Sequence, residues 1–151
     1  MANEMQADYA SGNTLYAVIR NRSGQVWHPA QQTFENWGLG GHTADDYDLA
    51  LTDRTGSRYT GDFDSDIPSG GYCVQIFRQA GATPADTDTL VSSREILWTG
   101  TGELTAAKLL ANKAVEDLRT ETIDYYDDDG QTILLSQTLH EGASTFTRTP
   151  E

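Results

Sequence analysis

The sequence predicts a mainly β, antiparallel fold: an immunoglobulin-like β-sandwich followed by one helix and a small β-hairpin or meander. Three observations predict it. Apolar and polar residues alternate with period two in runs such as Tyr47-Asp48-Leu49-Ala50-Leu51-Thr52, as on a half-buried strand. Gly, Pro and Asp turns recur roughly every 10 to 15 residues, which gives about seven short strands and suits a sandwich. At Gly100-Thr101-Gly102 the strand formers give way to an unbroken run of helix formers. An eight-stranded barrel is the second architecture that fits.

Residues 1–13 are polar and read as a flexible arm, and the sandwich occupies residues 14–102. Leu15 to Ile19 is its first strand, closed by the turn Asn21-Arg22-Ser23-Gly24. Gln25 to His28 is the second, stopped by Pro29. Thr33 to Trp37 carries two aromatics before the loop Gly38-Leu39-Gly40-Gly41. Tyr47 to Thr52 alternates as a strand, Asp53-Arg54-Thr55-Gly56 turns the chain, and Tyr59, Gly61 and Phe63 share one face of the next strand. After the turn Ile67 to Gly71 comes the strongest strand, Tyr72 to Arg78, and Leu90 to Trp98 returns beyond a loop. The expected core is Tyr16, Val18, Trp27, Leu49, Leu51, Tyr72, Val74, Ile76 and Trp98, the same-face members of these runs.

Residues 103–151 form the second module. Glu103 to Asp117 lacks Gly and Pro and reads as a helix, with Thr101 or Gly102 as its cap. Thr122 to Tyr126 and Thr132 to Leu139 flank Asp127-Asp128-Asp129-Gly130 as a hairpin, and Ser144 to Arg148 completes a meander. On the expected helix Leu104, Ala107, Ala111, Ala114 and Leu118 fall at 3-4-3-4 spacing. Such a stripe either packs within the chain or meets copies of itself in a homo-oligomer, so these five residues are the candidate assembly interface.

Composition removes several functions. The 151 residues carry a formal charge of −13, and Arg20 with Arg22 is the one compact basic feature, which argues against nucleic acid. No apolar run approaches the roughly 20 residues that span a bilayer, and the first residues lack the basic and apolar regions of a signal peptide. Neither a membrane partner nor export is expected. The single cysteine, Cys73, sits in a strand-like run and reads as a small buried hydrophobe.

No catalytic motif, cofactor or metal site is assigned. With Gly130 at position 6 of a calcium loop, Tyr125 falls at position 1 and Ser136 at position 12; with Asp62, Asp64 and Asp66 at 1, 3 and 5, Ile67 replaces the glycine. Both loops read as turns. His28, His42 and His140 show neither a repeated interval nor a Cys/His pair, and each reads as a loop or strand-edge residue. The serines have no nucleophile elbow, and Gly38-Leu39-Gly40-Gly41 runs into His42-Thr43-Ala44 rather than a phosphate-binding lysine. The 23 acidic residues gather in turns, where water solvates them. Trp27, Trp37 and Trp98 either fill the core or form a sugar-stacking platform. A carbohydrate- or cell-surface-binding module is therefore the alternative function.

Several segments resemble a family of small bacteriophage and prophage structural proteins. They include Leu15-Tyr16-Ala17, Phe34-Glu35-Asn36-Trp37, Tyr59-Thr60-Gly61-Asp62-Phe63, Phe77-Arg78-Gln79-Ala80-Gly81 and Glu95-Ile96-Leu97-Trp98-Thr99-Gly100. The stretch from Asn112 through Tyr125-Tyr126-Asp127-Asp128-Asp129-Gly130 to Pro150 is similar to C-terminal modules of phage head or tail components. The resemblance implies a non-enzymatic virion subunit, such as a head-decoration, fibre or tail-associated protein. Its expected partners are other virion proteins and its own copies, and its expected place is the virion.

Overall fold

Met5 and Ala7 are buried while Gln6 and Asp8 are exposed, and that period of two makes the first strand. In this computed structural model, residues 3–127, 129–142 and 145–150 are described. They form strands β1 (Met5–Asp8), β2 (Leu15–Asn21), β3 (Val26–His28), β4 (Thr33–Glu35), β5 (Leu49–Ala50), β6 (Thr52–Asp53), β7 (Arg58–Gly61), β8 (Gly70–Arg78), β9 (Thr89–Trp98), β10 (Ala114–Asp117), β11 (Thr122–Tyr126), β12 (Ile133–Gly142) and β13 (Thr145–Pro150). Two helices are α1 (Ala44–Tyr47) and α2 (Ala106–Ala111). The mainly β, antiparallel class is what the chain forms. Two units divide it, Met1–Glu103 and Leu104–Glu151.

In the first unit a large sheet runs β4-β3-β2-β8-β9, with β5 also paired to β2, and a small sheet runs β1-β7-β6. Consecutive strands β2, β3 and β4 stay in one sheet, whereas the immunoglobulin order sends its second and third strands to opposite sheets. Residues 1–13, expected as a loose arm, contain β1, which pairs antiparallel with β7 from Met5 opposite Gly61 to Asp8 opposite Arg58. Burial of Met5 accounts for the difference: an apolar side chain in the core holds the segment that contains it.

One face of the large sheet packs in the main core, and its other face is covered at β2 and β3 while Leu97 of β9 stays exposed. On one side Leu15, Ala17 and Ile19 of β2, Tyr72, Val74 and Ile76 of β8, and Ile96 and Trp98 of β9 pack with Met5, Ala7, Tyr59, Phe63 and Trp27. On the other, Tyr16 and Val18 of β2 and Val26 of β3 pack with Ala44 and Tyr47 of α1. Every residue from Leu15 to Ile19 is buried for this reason, and Tyr16 and Val18 face away from the other expected core residues. Leu49 is partly buried at the edge of the first cluster.

Tyr47 was expected on a strand and lies instead at the end of α1. Thr43 and Asp46 form a capping box: the Thr43 side chain accepts from the backbone of Asp46, and an Asp46 carboxylate oxygen accepts the Thr43 N–H at 2.8 Å. This reciprocal cap starts a helical turn within an otherwise alternating run.

In the second unit β10-β11-β12-β13 make one antiparallel meander. The helix expected over Glu103 to Asp117 is the six-residue α2, capped by Thr105, whose Oγ1 accepts the Lys108 N–H at 3.2 Å. Beyond Asn112 the chain enters β10, with Val115 opposite Asp124. The 3-4-3-4 stripe is therefore not the face of one helix. Leu104 precedes the cap, Ala107 and Ala111 lie on α2, Ala114 lies on β10, and Leu118 lies in the next turn. A short helix is marginal alone, and cross-strand hydrogen bonds to β11 outcompete its continuation. In the β11–β12 turn Gly130 adopts φ +64° and Asp129 accepts the N–H groups of Gln131 and Thr132, each at 2.8 Å. Asp128 of that turn and Ser144, the expected start of the last strand, lie outside the described residues.

Candidate metal centre

The β3–β4 hairpin sets the site. Val26 lies opposite Glu35, Trp27 opposite Phe34 and His28 opposite Thr33. Alternation sends Trp27 and Phe34 to one face, where their rings lie 5.0 Å apart in the sandwich core. It sends Val26, His28 and Glu35 to the other face, toward α1. His28 and Glu35 are thus diagonal neighbours across the hairpin.

The third member comes from the loop after β4. Gly38 and Gly41 adopt φ +79° and +91°, left-handed values that a side chain resists, and the short 3-10 turn between them reverses the chain. His42 is thereby laid back over the hairpin. Its Nδ1 lies 2.6 Å from Glu35 Oε1, and its ring meets the His28 ring edge-on at 4.6 Å between centroids. Imidazole nitrogens of His28 and His42 and a carboxylate oxygen of Glu35 all lie within 4.8 Å of one another.

A second layer holds the carboxylate. The Tyr47 hydroxyl donates to Glu35 Oε1 at 2.8 Å and accepts the Gly38 N–H at 3.1 Å. The turn itself is held by Asp86, which accepts the Ala44 N–H at 2.9 Å. His28 and Glu35 are each only 5% exposed, and the His42 side chain is 25% exposed, so of the three His42 is the one that meets solvent.

The hydrogen bond with His42 does most to hold the Glu35 carboxyl below the usual carboxylate range. The Tyr47 hydroxyl adds to this, and desolvation opposes it. Burial pushes the Tyr47 hydroxyl up, and its bond to Glu35 pushes the same way. Glu35 is therefore ionised at neutral pH and the phenol keeps its proton, the state in which one can ligate and the other can donate. Two imidazoles and a carboxylate are donors that suit zinc and related divalent ions.

The other residues weighed in the sequence do not converge in this way. Asp64 Oδ2 accepts the Trp27 indole N–H at 2.7 Å and Asp64 Oδ1 the Asp66 N–H at 2.9 Å, while Asp62 accepts the Asn3 N–H at 3.2 Å. Trp27 and Trp98 are core residues and Trp37 is half-buried over Arg20, so the three share no exposed face. Cys73 is half-buried on β8, with Sγ 3.3 Å from Ser93 Oγ. Among the described residues His28, Glu35 and His42 are the group arranged to hold a metal ion. Sequence reasoning treated the histidines singly and did not weigh Glu35 with them. The available signal was the hairpin alternation that puts His28 and Glu35 on one face. Comparison with protein-family models, curated proteins and solved structures finds no match to this chain.

Proposed function

We propose that the chain is a non-enzymatic structural subunit of a bacteriophage virion that acts through protein–protein assembly. The observation that carries this reading is the make-up of the second unit. Its described residues form a single antiparallel sheet and one short helix, and among the residues of 104–138 whose burial is described Ile123, 7% exposed, is the one buried side chain. Val115, Leu118 and Ile133 are large apolar side chains left exposed. A sheet usually buries one apolar face against a second layer, and here other subunits supply it. The resemblance of this stretch to phage head and tail modules points the same way, and so does the strongly acidic composition, which keeps a concentrated subunit soluble before assembly.

Mass spectrometry of density-purified particles from the phage or induced prophage encoding the chain tests the proposal. Peptides of this chain at a stoichiometry fixed relative to the major capsid or tail protein are expected. Intact particles without it would overturn the reading.

A further inference from the structure

We propose that His28, Glu35 and His42 bind one divalent transition-metal ion of the zinc class and that the ion staples the glycine-rich loop to the β3–β4 hairpin. Two imidazoles and one carboxylate converge from three separate segments, with ligand atoms within 4.8 Å of one another. Tetrahedral zinc with bonds of 2.0–2.1 Å sets its ligand atoms about 3.3 Å apart, so the trio needs a small adjustment in which the 2.6 Å His42–Glu35 pair opens and separations nearer 4.8 Å close. His42 can supply it, since its side chain is the exposed one and its loop is built on glycines.

In the metal-free state a proton hydrogen-bonds the His42 imidazole to the Glu35 carboxylate across the 2.6 Å contact and stands in for the ion. Binding replaces that proton with the metal, and the proton leaves to solvent. Glu35 is already oriented by the Tyr47 hydroxyl, the kind of outer partner that metal-ligating carboxylates keep. His28 Nδ1 faces the Gln31 N–H at 3.4 Å, a long contact that costs little to release. The imidazoles disfavour calcium and magnesium, which take oxygen ligands. Three protein ligands leave the fourth position to water, entering beside His42.

The test uses the full chain, stripped with a chelator and dialysed at neutral pH. It is titrated with zinc(II) by calorimetry and with cobalt(II) by visible absorption. One ion per chain at micromolar affinity, cobalt d–d bands of a low-coordinate nitrogen–oxygen site, and a zinc-dependent rise in melting temperature are expected. His42→Gln, at the exposed position, should keep a cooperative melt and lose at least tenfold in affinity, as should His28→Gln. His140→Gln should bind like the parent. Absence of saturable binding below millimolar zinc would overturn the proposal, and so would binding that survives His42→Gln or depends on His140.

Discussion

The Tyr47 hydroxyl and the Glu35 carboxylate meet in a buried hydrogen bond of 2.8 Å that ties the end of α1 to β4. Because Tyr47 also accepts the Gly38 N–H, one phenol fixes both ends of the loop that carries His42. Tyr47→Phe keeps the ring packed against Val26 and Tyr16 but removes both bonds. Denaturant unfolding should show a loss of about 1–3 kcal/mol, the cost of leaving buried polar groups unpaired. An unchanged midpoint would show that water replaces the phenol.

Asp53 gives the acid limb of stability a named contributor. The Gly12 N–H does most to lower its pKa, and the Thr55 N–H and the hydroxyls of Ser11 and Tyr59 add to it against desolvation. A carboxyl depressed in the folded state contributes stability that is fully present above its unfolded pKa of about 3.9 and is lost as pH falls through the folded value. Asp53→Asn should therefore lower stability at pH 7 and flatten its decline below about pH 4, measured by urea unfolding across that range.

Ile76 is 1% exposed at the centre of β8, facing the core shared by the two sheets. Ile76→Asp should leave no folded protein, and Ile76→Val should cost about 0.5–1.5 kcal/mol as a cavity. A soluble, cooperatively melting Ile76→Asp protein would show that the strand faces the other way.

Assembly should depend on the exposed apolar residues of the second unit and not on α2. Light scattering of the full chain at moderate salt should give a mass above that of the 16.5 kDa monomer. Ile133→Asp or Leu118→Asp should lower that mass, while Ala107→Asp should leave it unchanged. A full chain that stays monomeric at high concentration would remove homo-oligomers from the reading and leave other virion proteins as the partners.

Millimolar calcium should leave the melting temperature where a chelator leaves it. Asp62, Asp64 and Asp129 already accept hydrogen bonds from the Asn3 N–H, the Trp27 indole and the Thr132 N–H respectively, and so act as turn and packing residues. A rise of many degrees would show a site that these bonds conceal.

The sequence by itself determined the class and the strongest strands. β8 and β9 were legible because local alternation and flanking turns set them, and the Asp127 to Gly130 turn because its residues suit the φ values that a tight turn needs. Tertiary structure decided the rest, for physical reasons of three kinds. Burial on two faces made all of Leu15 to Ile19 apolar in surroundings, which erased the alternation that would have said which residues face which layer. Competition between local and distant hydrogen bonds shortened α2 to six residues and turned Ala114 to Asp117 into a strand, because β11 offers backbone partners that no sequence window contains. The meeting of His28, Glu35 and His42 combines a hairpin register, which alternation hints at, with a glycine loop whose return path is set by Tyr47 and Asp86. A lone histidine in a sequence carries no sign of what the chain folds against it.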